Sequence, residues 1–261
     1  MKMVRKFFSI VPNMLPKTDP RYLKWRESLK KRPPSWTTGK NKENDPRVMK
    51  ISQTMKRKHL DNFKKWRDQM IKLGKIRNTY PPFKKSEDLA FLIGLTMGDG
   101  NISVFPRTEC LTIAFSGKYP KMVDYTEKII INLFDKKFCR MIKGGCIRGR
   151  IYQKQISKRL FVPTGKRRYS TVGIPEWAWK SKKYLLACLR GLFEAEGSYS
   201  VHLPTCTYNF QFSNENVKLL DDVERGLKIF GYHPERRINS VRLRKRAEAM
   251  HFKKLICFRE F

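Results

Sequence analysis

The chain has 261 residues, long enough to bury a sizeable core and to divide into two or three units. Its net charge of +34 is spread along it: residues 1–85 hold 25 Lys and Arg against 6 Asp and Glu, and residues 86–261 hold 32 against 17. Such a chain favours a polyanionic partner, with a ribosomal-type RNA binder or a solvated basic surface as the blander readings. The six cysteines form no C-x-x-C pair and do not cluster with the four histidines, which argues against a disulfide framework and a structural zinc site. No apolar stretch approaches the roughly 18 residues that span a bilayer, so no membrane partner is expected. A soluble protein of a reducing cytoplasm fits, or of an organelle or nucleoid if the polyanion is DNA.

In chain order, the first segment with a recognisable pattern is "SWTTGKNKENDPRVMKISQTMKRKHLDNFKKWRDQMIKLGKI" (35–76), basic with Trp36, Phe63 and Trp66 interleaved. It reads as a largely helical arm that grips a polyanion's backbone, or else as an appendage packed on the core of the remaining chain. From residue 86 the pattern changes. Ser86 and Ser181 are N-cap candidates, each followed by an apolar helix that Gly100 or Gly197 stops. After the first helix come "NISVF" and "LTIAFS", and after the second "SYSV" and "YNFQFS", alternating as half-buried strands do. "YPKMVDYTEKIIINLF" and "ENVKLLDDVERGLKIFG" have helical periodicity. The basic stretches that follow them read as further strands, and "AEAMHFKKLICF" as a last helix. "TVGIPEWAWKSKK" joins the two halves, with Pro175 preventing a continuous helix.

The halves are copies. At an offset of 97, residues 89–134 fall on 186–231 without a gap, and 14 of the 46 pairs are identical. In the first helix Ala90, Gly94 and Gly98 stand four apart on one face, and in the second Ala187, Gly191 and Ala195 do the same. An interior Gly costs about 1 kcal/mol relative to Ala. Two such stripes in register therefore predict a helix pair whose backbones approach closely. That packing brings together Asp99 and Glu196, each just past its stripe at a helix C-terminus. Like charges repel, and the negative end of the macrodipole disfavours carboxylates, so a cation is expected between them. A divalent, oxygen-preferring ion such as Mg²⁺ beside a phosphate suits the pair.

"LIGLTMGDG" (92–100) and "LRGLFEAEG" (189–197) resemble the two motifs of the LAGLIDADG homing endonucleases in their single-chain, two-repeat form. The resemblance implies an α+β fold of tandem αββαββα units about a pseudo-twofold axis, with repeat 1 at 86–180, repeat 2 at 181–261 and a basic DNA-binding extension at 1–85. It further implies a monomer that binds double-stranded DNA on a saddle of strands and makes Mg²⁺-dependent breaks in both strands at a long, roughly palindromic site. An RNA-binding intron maturase or a transcription regulator on the same fold are the alternatives. Asp99 and Glu196 match the family's metal-binding acids, with Gly98 and Ala195 beside them in the metal set. Lys154 and Arg244 match loosely the family's basic residue at the end of the last strand. "GKNK" (39–42) and "KIS" (50–52) loosely resemble the small DNA-binding modules that accompany such nucleases.

The strand alternation adds its own set. With Ile102, Val104, Ile113 and Phe115 turned inward, Asn101, Ser103, Thr112 and Ser116 face outward, as do Arg148, Arg150, Tyr152 and Lys154. The second copy turns out Ser198, Ser200, Asn209, Gln211, Ser213, Arg242 and Arg244. Polar and arginine side chains on a sheet that enters the major groove can read base edges.

Overall fold

The computed structural model describes residues 18–58, 61, 63–165 and 170–261, so the opening segment of the expected arm lies outside the described residues. Two units divide the chain, Met1–Ile76 and Arg77–Phe261.

The first unit holds α1 (Pro20–Lys30), α2 (Pro46–Arg57) and α3 (Lys64–Lys72). Both α1 and α2 begin on Asp-Pro-Arg. Asp19 and Asp45 accept from the backbone N–H of Arg21 and Arg47, and the proline fills the first helical position, where its missing N–H costs nothing. None of the three helices buries a residue. Trp25, Trp36, Phe63 and Trp66 are all exposed. Lys40 and Arg47 lie over the Trp36 ring at 5.8 and 5.6 Å.

Residues 77–85 belong to the second unit. The physical reason is Arg159. Its Nε donates to the Pro81 carbonyl at 2.9 Å and its guanidinium lies 3.6 Å from the Phe83 ring centre. Phe83 in turn packs edge-on against Phe134.

Repeat 1 runs α4 (Glu87–Asp99), β1 (Gly100–Phe105), β2 (Thr108–Ser116), α5 (Pro120–Phe134), β3 (Cys139–Lys143), β4 (Cys146–Gln153) and α6 (Ile156–Leu160). A short α7 (Glu176–Trp179), with Pro175 at its N-cap, leads into repeat 2. That repeat runs α8 (Lys182–Glu196), β5 (Gly197–His202), β6 (Thr207–Ser213), α9 (Val217–Ile229), β7 (Glu235–Arg237), β8 (Ser240–Leu243) and α10 (Arg246–Leu255). Each repeat is αββαββα with one antiparallel four-stranded sheet, ordered β1-β2-β4-β3 and β5-β6-β8-β7. The joining segment is pinned by Asp222, a buried carboxylate that accepts from the Ile174 N–H at 2.8 Å and from Lys218 at 2.6 Å.

The repeats meet along α4 and α8. A Cβ at Gly94 would lie 2.2 Å from the Cys188 carbonyl oxygen, and a Cβ at Gly191 would lie 2.1 Å from that of Phe91. Phe91 and Cys188 are themselves counterparts at the 97-residue offset, so the two contacts are one contact related by the pseudo-twofold. A Cβ at Gly98 would fall 2.3 Å from the Cβ of Ala195, its own counterpart, which places the axis between them. Ala90 is fully buried in the same core and Ala187 is half-buried against it. The apolar residues of α4 from Leu89 to Met97 are all buried, because α8 covers one side and the strands and α5 the others.

Three details refine the sequence reading. Gly100 and Gly197 end their helices in extended conformations (φ −86° and −82°) rather than the left-handed one. What demands glycine there is space, since a Cβ would sit 2.7 Å from the Thr96 carbonyl oxygen or 2.3 Å from that of Phe193. Val104, expected inside, is 66% exposed: it keeps the parity of Ile102 but lies where β1 runs past the core. Ser86 caps α4 by accepting from the Leu89 N–H, whereas Ser181 occupies the cap position of α8 with no side-chain hydrogen bond of that kind.

Candidate functional site

The twofold seam ends in the two acids. Asp99 and Glu196 close α4 and α8, one residue beyond the Gly98–Ala195 contact, and the Glu196 Cγ lies 3.1 Å from where a Gly98 Cβ would be. Glu196 is half-buried, while Asp99 keeps an exposed edge. Loss of water at the crowded seam, together with the negative charge of Glu196, pushes the Asp99 carboxyl up to about 6. Two carboxylates at the negative ends of two helices form an oxygen-only donor set whose repulsion a divalent cation would relieve, so the residues present fit a Mg²⁺-type ion. Among the described residues, no three His, Cys, Asp or Glu side chains gather to hold a metal elsewhere.

Glu194, two residues earlier in the same motif, serves a different purpose. It is buried, its Oε1 accepts from the Arg259 N–H at 2.7 Å, and burial pushes its carboxyl up to about 7. It fastens the C-terminal segment to α8.

Asp99 opens onto the outer face of the first sheet. A hollow of about 400 Å³ there is lined by Asp99 with Asn101, Ser103, Thr112, Arg148, Arg150 and Tyr152. Phe105, Cys110 and Ala114 line it too. These three were not anticipated, although strand parity with Asn101 and Thr112 marks them. Ser116 is exposed at the far end of β2, outside the lining. Asn101 donates to Ser103 at 3.0 Å, and the Arg150 Nε is buried with no hydrogen-bond partner among the described residues.

The second sheet presents the matching face. Ser198 pairs with Gln211, Ser200 with Asn209, Gln211 with Arg242 and Ser213 with Ser240, which puts the candidate residues on one side. Asn209 donates to Gln211 at 3.4 Å and Gln211 to Ser213 at 2.7 Å, a ladder along β6. Arg242 is ion-paired with Glu235 at 2.9 Å, and Arg244 reaches the same carboxylate at 3.9 Å. Glu235 was not anticipated either, since the short β7 shows no alternation in "PERRINS" from which its side could be read.

The two basic strand-end candidates are not equivalent. Ala114 and Gln211 are counterparts, and they face Arg148 and Arg242 across the ladder, so Arg148 matches Arg242 and, two residues on, Arg150 matches Arg244. Lys154 lies beyond both. Its ammonium donates to the Asn78 side chain, and it is absent from the lining of the hollow that Asp99 enters. The reason is strand length: β4 runs to Gln153, whereas β8 stops at Leu243.

Residues 183–257 match the family described as LAGLIDADG-like domain. Repeat 2 is a LAGLIDADG-like domain. Repeat 1 has the same element order and strand order as this domain, so the chain carries the LAGLIDADG fold twice. No curated protein matches the chain. Among solved structures, mesophilic variants of the homing endonuclease I-DmoI are 17% identical with a TM-score of 0.49, over 65% of this chain and 94% of that one. I-DmoI in complex with DNA and Mn is 16% identical with a TM-score of 0.48, over 65% and 96%. The N-terminal LAGLIDADG domain of DUF199/WhiA is 14% identical with a TM-score of 0.46, over 69% and 91%.

Proposed function

We propose that this chain is a site-specific endonuclease that cuts both strands of duplex DNA with the help of Mg²⁺, working as a single-chain pseudo-dimer. The observation that carries the reading is the meeting of Asp99 and Glu196 at the twofold seam between two outward polar, arginine-bearing sheets. The LAGLIDADG-like domain in repeat 2 supports it. Asp99 and Glu196, with the Gly98 and Ala195 carbonyls, would hold the ion. When bound, it supplies Lewis-acid polarisation of a phosphate oxygen and activation of water.

The chain's own groups account for the rest. The sheet faces seat the duplex, and Asn101, Ser103, Thr112, Ser116, Arg148 and Tyr152 in one repeat reach base edges, as do Ser198, Ser200, Asn209, Gln211, Ser213 and Arg242 in the other. Arg150 and its counterpart Arg244 offset charge developing on a scissile phosphate, and Lys154, tied to Asn78, is left a backbone contact. Two acids related by the axis serve two strands. Because the outward rows differ between repeats, the preferred site is only roughly palindromic.

The test is Asp99→Asn and Glu196→Gln, assayed by sequencing the products of a genomic DNA library in Mg²⁺. Both substitutions keep side-chain volume, so folding survives, and cleavage falls by orders of magnitude while metal-free DNA binding stays equal or tightens. Wild-type cleavage rates in either folded variant would sink the assignment. A wild-type protein that binds duplex DNA without cutting it would point to a regulator, and one that prefers RNA to a maturase.

A further inference from the structure

Counterpart rows on the two outer faces differ in kind. In repeat 1, Arg148 stands between Ala114 on β2 and Met141 on β3. In repeat 2, the corresponding Arg242 stands between Gln211 on β6 and Glu235 on β7. Glu235 therefore occupies the position of Met141, and it introduces a carboxylate into the face that is to meet phosphates. On electrostatic grounds alone that is unfavourable for binding. Its closest contact, to Arg242 rather than the more distant Arg244, shows what it does there. A single oxygen, Oε2, accepts from both Nε and Nη2 of Arg242, at 3.0 and 2.9 Å. The arginine side chain is only 17% exposed, so its stem is fixed as well.

Gripped along its Nε edge, a guanidinium keeps its end open: the Nη1 amino group and the second proton of Nη2 form a planar two-donor fork. Such a fork matches the O6 and N7 acceptors of guanine in the major groove. We infer that Arg242 reads a guanine end-on and that Glu235 is the positioning residue that aims it, making one base pair under repeat 2 more strictly specified than the pair that Arg148 meets under repeat 1. This rests on the DNA-binding reading above. Holding the fork before contact lowers the ordering cost of the contact, so the carboxylate raises discrimination while lowering affinity for DNA in general.

The experiment uses the full chain and a randomised duplex DNA library, selected for binding in chelator so that no cutting intervenes. R242K, which keeps the charge but lacks the fork, locates the base pair concerned. E235Q is expected to weaken guanine preference at that same pair by about tenfold and to leave the others unchanged. Its affinity for poly(dA-dT) should equal or exceed wild type, because a negative charge has left the surface. A purely structural role would lower both together. The inference is overturned if R242K changes no position, if E235Q keeps the wild-type preference at the pair R242K identifies, or if E235Q flattens every position while losing poly(dA-dT) affinity. Failure of the wild-type protein to enrich any sequence would instead overturn the reading beneath it, and the inference with it.

Discussion

At the scale of single residues, Asp45 shows how much local order one side chain can hold in a unit whose helices bury nothing. Its Oδ1 accepts from the Arg47 N–H at 2.8 Å and the Val48 N–H at 3.4 Å, while Lys40 and Arg47 sit within 3.5 Å of its other oxygen. The Arg47 N–H bond, followed by the Arg47 side chain and the Val48 N–H, outweighs partial burial and holds the carboxyl at about 2. A carboxyl held below its unfolded value of roughly 4 stabilises the folded form above that value, and the stabilisation is lost as pH falls toward about 2. Helical Cα chemical shifts of residues 46–50 should therefore persist at pH 5 and collapse toward pH 2. With Asp45→Asn the acid-dependent collapse should vanish, because an amide caps without titrating. An unchanged acid profile in that variant would show that Asp45 is not the cap that matters.

The α4–α8 pair sets the terms at the scale of elements. Gly94→Ala and Gly191→Ala would each gain about 1 kcal/mol of helix propensity. Each would also drive a Cβ to within 2.2 or 2.1 Å of a backbone carbonyl oxygen that cannot swing aside. Overpacking dominates, at about 3 kcal/mol or more, which corresponds to a fall in Tm of roughly 6 °C or more. Thermal melts should show nearly equal losses for the two variants, since the two contacts are related by the pseudo-twofold. A rise in Tm for either would refute the close approach.

This close helix pair is legible in the sequence, because Gly and Ala at a spacing of four in both copies cost helix propensity that only a near approach of backbones repays. The sheet faces follow from strand parity, as for Asn101, Thr112, Asn209 and Arg242. What parity cannot give is where a strand outruns its core, and hence Val104 lies outside against expectation. Nor can it give cross-strand register: Lys154 and Arg244 both follow a last strand, but only the pairing of Ala114 with Arg148 and of Gln211 with Arg242 shows that Arg150 is the counterpart of Arg244. The two Asp-Pro-Arg helix starts carry a cap signal that was not anticipated, although cap preference alone would mark them.

For the whole molecule, the charge and the two-unit division make one expectation measurable. The first unit combines basic helices, which bury no residue among those described, with exposed Trp25, Trp36, Phe63 and Trp66, a composition suited to phosphates. Removing residues 1–76 should weaken DNA binding and make the slope of log K against log[salt] shallower by about 0.9 for each phosphate that is no longer neutralised. Under the proposed function, cut positions should not move, because the proposed base-reading residues all lie in the second unit. A deletion that left affinity and slope unchanged would deny the first unit any role as a clamp.

The reciprocal glycine contact also orders events during synthesis. All of α4 from Leu89 to Met97 is buried in the finished protein, yet its partner helix is encoded 97 residues later. At about 5 to 20 residues per second, the ribosome takes roughly 5 to 20 seconds to supply that partner. Throughout that interval the nascent first repeat carries the apolar, small-residue helix face that α8 covers in the finished protein, and that face is open to non-native association until α8 emerges.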